Sequence, residues 1–126
     1  MLAERPTAAE LIAAVADFLE KKAAPQLDAH TGFHAKVAVN ALRIVERELQ
    51  QGEQAVADEK ARLLALAGSN IAADTSLGAL NAALCAQIES GTLATDDPVL
   101  RAHLLKSVLA RLAIDNPKYP SLQALS

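Results

Sequence analysis

Apolar residues recur along most of this 126-residue chain at three- and four-residue spacing, the period of an α-helix, and short breakers cut the pattern into segments. Thr7 opens the first segment, with Glu10 three residues on completing a capping box and Pro6 just outside. Leu11, Ile12, Val15, Phe18 and Leu19 form its apolar stripe, while Asp17, Glu20 and Lys21 face away. Pro25 lacks the amide hydrogen that a continuing helix needs, so this helix is expected to end within 22–24, with a short connector over 26–31.

A second helix is expected over 32–51, stopped by Gly52 as its C′ residue. At 100° per residue, Phe33, Val37, Ala41, Ile44, Val45 and Leu49 cover a broad apolar face with His34 in its middle. Lys36, Asn40, Arg43 and Arg47 take the opposite side, with Glu46 at its edge. A third helix over 53–67 places Val56, Leu63, Leu64 and Ala67 inward and ends at Gly68. Residues 69–76 are the longest stretch without a period, and Asp74, Thr75 and Ser76 offer caps for the next helix. That fourth helix, over 77–90, groups Leu77, Leu80, Leu84 and Ile88, with Asn81 and Cys85 along one edge and Gly91 at its end.

The last long helix opens with Asp96 or Asp97 as cap and Pro98 in the first turn, where proline loses nothing. Leu104, Leu105, Val108, Leu109 and Leu112 read as its core side; His103, Lys106, Ser107, Ala110 and Arg111 read as the opposite one. Pro117 and Pro120 break the remainder, which holds Tyr119 in an irregular tail. The expected architecture is all-α: a single domain over 1–126, built as an antiparallel bundle of about five helices with an irregular C-terminal tail.

Composition agrees with this class. The chain holds 28 Ala and 20 Leu against 2 Phe, 1 Tyr and no Trp, so strong helix formers dominate and sheet-favouring residues are scarce. Twelve Lys and Arg against 15 Asp and Glu give a net charge of -3, which supplies no field for a polyanion, and nucleic acid is not an expected partner. No apolar run is long enough to span a bilayer, and the first 22 residues carry acidic residues early and their basic pair late, the reverse of a secretory leader. The single Cys85 cannot form an internal disulfide; a reducing, cytoplasmic setting is expected. Ala-rich faces allow helices of two copies to approach closely, and a homodimer is expected.

Candidate chemistry is sparse. His30 and His34 stand four residues apart near Asp28, but the zinc-protease glutamate is missing and Gly32 interrupts them, so no metal site is assigned. Cys85 lies two turns into its helix beside Leu84, which fits a small buried hydrophobe better than a nucleophile. Asp96 and Asp97 fit a cap better than an acid–base pair, and no glycine-rich phosphate cradle occurs. No catalytic residue and no cofactor is assigned. Arg43 reads as a solvated or intramolecular ion pair, with a phosphate or partner carboxylate as the rival. His34, Asn81 and the Asp115–Asn116 corner are polar groups at apolar positions, which must find hydrogen-bond partners; a network between helices is expected, with His34 buried and its loss costing about 2 to 4 kcal/mol. A small polar pocket is the rival.

Four blocks carry a resemblance: "RPTAAELIAAVADFLE" over 5–20, "FHAKVAVNALRIVEREL" over 33–49, "LNAALCAQIESG" over 80–91 and "RLAIDNPKY" over 111–119. In that order they resemble an uncharacterised bacterial helical domain family, a domain of unknown function. Its members are often encoded beside, or joined to, proteins resembling aminoglycoside-type phosphotransferases and acyl-CoA dehydrogenases. The resemblance implies an accessory or interaction domain with such a protein partner, and a small-molecule-binding protein or small enzyme is the alternative. The positions it singles out are Phe33, His34, Asn40, Arg43, Asn81, Cys85, Asp115, Asn116, Pro117 and Tyr119. Lys36 and Lys118 stand where similar chains are expected to carry Arg, keeping the charge and losing the planar fork. The candidate pocket or network is therefore His34, Asn40, Arg43, Asn81, Asp115, Asn116 and Tyr119.

Overall fold

Asp28 starts a helix that does not stop at Gly52. The computed structural model describes residues 4–68 and 71–125, and its regular structure is helical, with no strand among the described residues. Four helices carry it: α1 (Ala8–Phe18), α2 (Ala29–Ala67), α3 (Leu77–Glu89) and α4 (Pro98–Asp115), with one further helical turn at Leu122–Leu125. The expected count of about five is corrected to four because the predicted second and third helices are one helix of 39 residues. Gly52 lies within it and lacks the left-handed backbone of a C′ glycine, which only Gly68 (φ 91°) and Gly91 (φ 80°) adopt among the described residues. A lone glycine inside a long helix costs about 1 kcal/mol, which the turns on either side absorb. The chain divides into two compact units: the residues up to Glu53 with Ile114–Asn116, and Gln54–Ala113 with the residues from Pro117 on.

In the first unit Thr7 caps α1 as expected, its hydroxyl accepting from the Glu10 amide at 3.1 Å. The Glu10 carboxylate pairs with Arg5 at 2.9 Å. Beyond Phe18 the helix widens into a π turn, Leu19–Ala23, in which the Ala24 amide reaches back to the Leu19 carbonyl, and then tightens into a 3-10 turn, Ala24–Gln26, around Pro25. The helical path thus runs a little past the expected stop. Asp28 caps α2 by accepting from the Thr31 amide at 2.7 Å, which starts that helix at Ala29, three residues before its expected start.

Val39 is buried on α2, along with Ala16 on α1 and Ile114 on α4. Phe33, Val37, Val45 and Leu49, expected in the core, are instead 63%, 49%, 44% and 50% exposed. The covered side of α2 here is the one that carries Val39, Arg43 and Glu46, because Arg43 finds a carboxylate partner, Asp17, on α1.

The second unit follows the sequence more closely. Leu63, Leu80, Leu84 and Leu100 form its core, with Leu64, Leu77 and Ile88 packed against it. Ser76 caps α3 through the Ala79 amide at 3.2 Å. Asp97 rather than Asp96 caps α4, accepting from the Val99 and Leu100 amides at 2.9 and 3.0 Å with Pro98 in the first turn. Of the stretch 69–76, residues 69 and 70 lie outside the described residues, as do residues 1–3 of the segment read against a secretory leader. On α4 the expected faces hold only in part: Leu109 and Leu112 are half-buried and Lys106 and Arg111 exposed, but His103 is buried at 3% exposure while Leu104, Leu105 and Val108 are exposed. The covered seam is Leu100, His103, Ser107, Ala110 and Ile114, a three-and-four alternation that fits a helix seam as well as the aliphatic residues do. Cys85, expected to be buried, is exposed. No helix among the described residues is long and apolar enough to cross a membrane.

Candidate functional site

Arg43 is held by three carboxylates. Its Nη2 donates to Asp17 Oδ1 at 2.6 Å and lies 3.6 Å from Glu20 Oε1, and its Nη1 donates to Glu46 Oε2 at 3.1 Å. The hydrogen bond from Arg43 is the chief reason that the Asp17 carboxyl sits below its usual range, and the same contact raises Arg43. One turn on, Arg47 Nε donates to the Ile114 carbonyl at 2.7 Å, satisfying an acceptor near the C-terminus of α4. Arg43 therefore takes the intramolecular-pair role, and its fork is spent on internal partners.

Two recesses lie beside this cluster. The larger, about 550 Å³, sits where the 3-10 turn meets the start of α2; Pro25, Leu27 and Phe33 give it apolar walls, and Glu20 and Lys36 give it opposite charges. The smaller, about 250 Å³, shares Glu20 and Lys36 and adds Val39 and Asn40. Asp28 borders the larger recess, but its carboxylate is committed to the cap, and the Thr31 amide is what lowers its pKa. Together these walls can receive a small group with an apolar body and a polar or charged end.

The second unit holds a polar cluster that the sequence pattern did not reveal. Arg62 Nε donates to His103 Nδ1 at 3.1 Å, and Arg62 Nη2 donates to Ser107 Oγ at 3.1 Å. Burial, followed by the nearby Arg62 charge, pulls the His103 imidazole below its ordinary 6.5, with Glu59 opposing. An imidazole that accepts at Nδ1 carries its proton on Nε2 and is neutral. The available signal was the seam running from Leu100 through His103 to Ser107; the aliphatic side of α4 outweighed it.

The expected site residues fall in both units. His34 is exposed, its ring set edge-on to His30 at 4.7 Å and near Phe33 at 5.6 Å, so the reading of His34 as a buried core residue is corrected. Asn40 lines the smaller recess, Arg43 forms the carboxylate cluster, and Asp115 and Asn116 are exposed beyond the buried Ile114; these belong to the first unit. Asn81, half-buried on α3, and Tyr119, 43% exposed, belong to the second. No group of three or more potential metal ligands converges among the described residues.

Residues 25–119 match the family described as a domain of unknown function, DUF6285. The chain belongs to that family. The DUF6285 span takes in all of α2, α3 and α4, hence Arg43, Arg62, His103 and Ser107, and leaves out α1 with Asp17. No curated protein and no solved structure matches the chain.

Proposed function

We propose that this DUF6285 chain is an accessory domain that works by binding another protein. The observation that carries this is the exposure of aliphatic side chains on the described helices. On α4 alone Val99, Leu104, Leu105 and Val108 are 62%, 46%, 41% and 53% exposed, and the last three are neighbours on one helix surface. The resemblance carried by the four sequence blocks supplies the partner class, a phosphotransferase-like or acyl-CoA-dehydrogenase-like protein in a bacterial cytoplasm. A single antiparallel helical domain is part of the proposal, supported by a family span that crosses from Glu53 to Gln54 without interruption. The test is to mix the purified chain with a protein of each type encoded beside it and follow co-migration by size-exclusion chromatography. Binding that is abolished by Leu105→Asp with Val108→Asp is expected; no association with either at about 100 µM overturns the reading.

A second reading is favoured by the recess between Glu20 and Lys36: a small-molecule-binding protein. Thermal stabilisation by a small amphipathic ion, lost in Lys36→Ala, supports it; stabilisation that Lys36→Ala leaves intact contradicts it.

A further inference from the structure

The interruption that Gly32 suggests between His30 and His34 is absent, because α2 begins at Ala29 and runs through all three residues. Residues four apart on a helix are neighbours on one face. The two rings stand with their centroids 4.7 Å apart and their planes at 79°. Both side chains are exposed, so each ring is free to turn about its own bond. A divalent ion bonded to an imidazole nitrogen at about 2.0–2.1 Å lies about 3.2 Å from the ring centre, so two such ligands about 90–110° apart have centroids about 4.5–5.2 Å apart. The observed spacing falls within that range and asks for no backbone movement. His103, the last of the three histidines in the chain, is buried and accepts from Arg62, which leaves this pair as the exposed imidazoles.

We propose that His30 and His34 form a chelating site for a late first-row divalent transition ion, with copper(II) held most tightly. The site goes beyond the binding of another protein and does not depend on it. Imidazole suits copper, nickel and zinc, and copper(II) heads their order at a given set of ligands. Once one ring has bonded, the other waits a single helical turn away at high effective concentration, so the pair should hold the ion at least about tenfold more tightly than either ring alone. No third ligand converges on the pair among the described residues, and the Asp28 carboxylate is committed to the cap of α2. Water therefore completes the coordination, which makes the ion exchangeable rather than structural. The same Asp28 carboxylate offsets the positive end of the helix, which would otherwise disfavour a cation in the first turns.

Calorimetric titration of the full chain with copper(II), nickel(II) and zinc(II) chlorides is the test, in a Cys85→Ser background because that exposed thiol would compete for the ions. One tightly held copper per chain is expected, with nickel and zinc weaker. His30→Ala and His34→Ala should each weaken copper binding at least about tenfold. Spacing supplies the control that composition cannot. His34→Ala with Phe33→His sets the imidazoles three apart, still neighbours on the helix, and should recover much of the affinity; His30→Ala with Ala29→His sets them five apart and should recover none. Electron paramagnetic resonance of the copper-loaded chain should count two nitrogen ligands, and one in His30→Ala. Copper held equally by the single variants, or by the pair at a spacing of five, means an adventitious ion only and overturns the site. So does the absence of saturable copper binding below about 1 mM.

Discussion

The Nε of Arg62 donates to Nδ1 of His103 across 3.1 Å, so a buried imidazole accepts a hydrogen bond from a guanidinium and must stay neutral to do so. Protonation would fill the accepting nitrogen and set two cations against each other. Because the folded pKa lies below 6.5, the unfolded chain takes up the proton first as the pH falls. The stability from this group is complete above pH 6.5 and is lost progressively below it. Urea denaturation at pH 7.5 and 5.5 is expected to show this loss, and His103→Leu should remove the part of the pH dependence that belongs to the imidazole.

His103→Ala at neutral pH should cost about 2 to 3 kcal/mol, from the cavity and the unpaired Arg62 donor. His34→Ala should change stability by less than about 0.5 kcal/mol, as an exposed ring supports little. Chemical denaturation of both variants checks this order, and equal losses would contradict it.

Arg43 joins Asp17 on α1 to Glu46 on its own helix. Arg43→Lys keeps the charge and loses the fork that reaches both, so it should recover only part of the loss of about 1 kcal/mol expected for Arg43→Ala. Since the folded pKa of Asp17 is depressed, the stability from its pair is present above 3.8 and declines as the pH falls through the lower folded value. Comparing the acid limbs of Asp17→Asn and the native chain reads this out; identical limbs would contradict the pairing.

The continuity of α2 fixes opposite signs for two glycine substitutions. A Cβ at Gly52 would stand 2.9 Å from Glu48 Oε1, the far end of a flexible side chain that can move aside. Gly52→Ala should therefore raise stability by about 0.5 kcal/mol. Gly68 has open space around it but a φ of 91°, so Gly68→Ala should lower stability by about 1 kcal/mol through backbone strain alone. Thermal denaturation distinguishes these outcomes from two helices meeting at Gly52, where that substitution would be the damaging one.

The cap at Thr7, the sets of residues holding the caps at Ser76 and Asp97, the end of the first helical run near Pro25 and the leucine core of the second unit were legible because each rests on local chemistry or dense aliphatic periodicity. The faces of α2 and α4 were not. Val39 is covered within the first unit and Leu63 within the second, and a single amphipathic stripe cannot describe a helix that serves two units. On α4 a histidine and a serine occupy the seam because Arg62 satisfies both, information carried by a residue 41 positions away. His34 was misplaced by the same assumption, since its apolar neighbours on α2 are themselves exposed.

The division of α2 within the first unit into a covered side bearing Val39 and Arg43 and an exposed side bearing Val37 and Val45 underlies the packing described above. Thiol labelling in a Cys85→Ser background reads that division at the residues themselves, with Val37→Cys, Val45→Cys and Val39→Cys compared at high dilution. Labelling should be rapid at 37 and 45 and strongly suppressed at 39. Protection at 37 and 45 under dilution, with free reaction at 39, would contradict it.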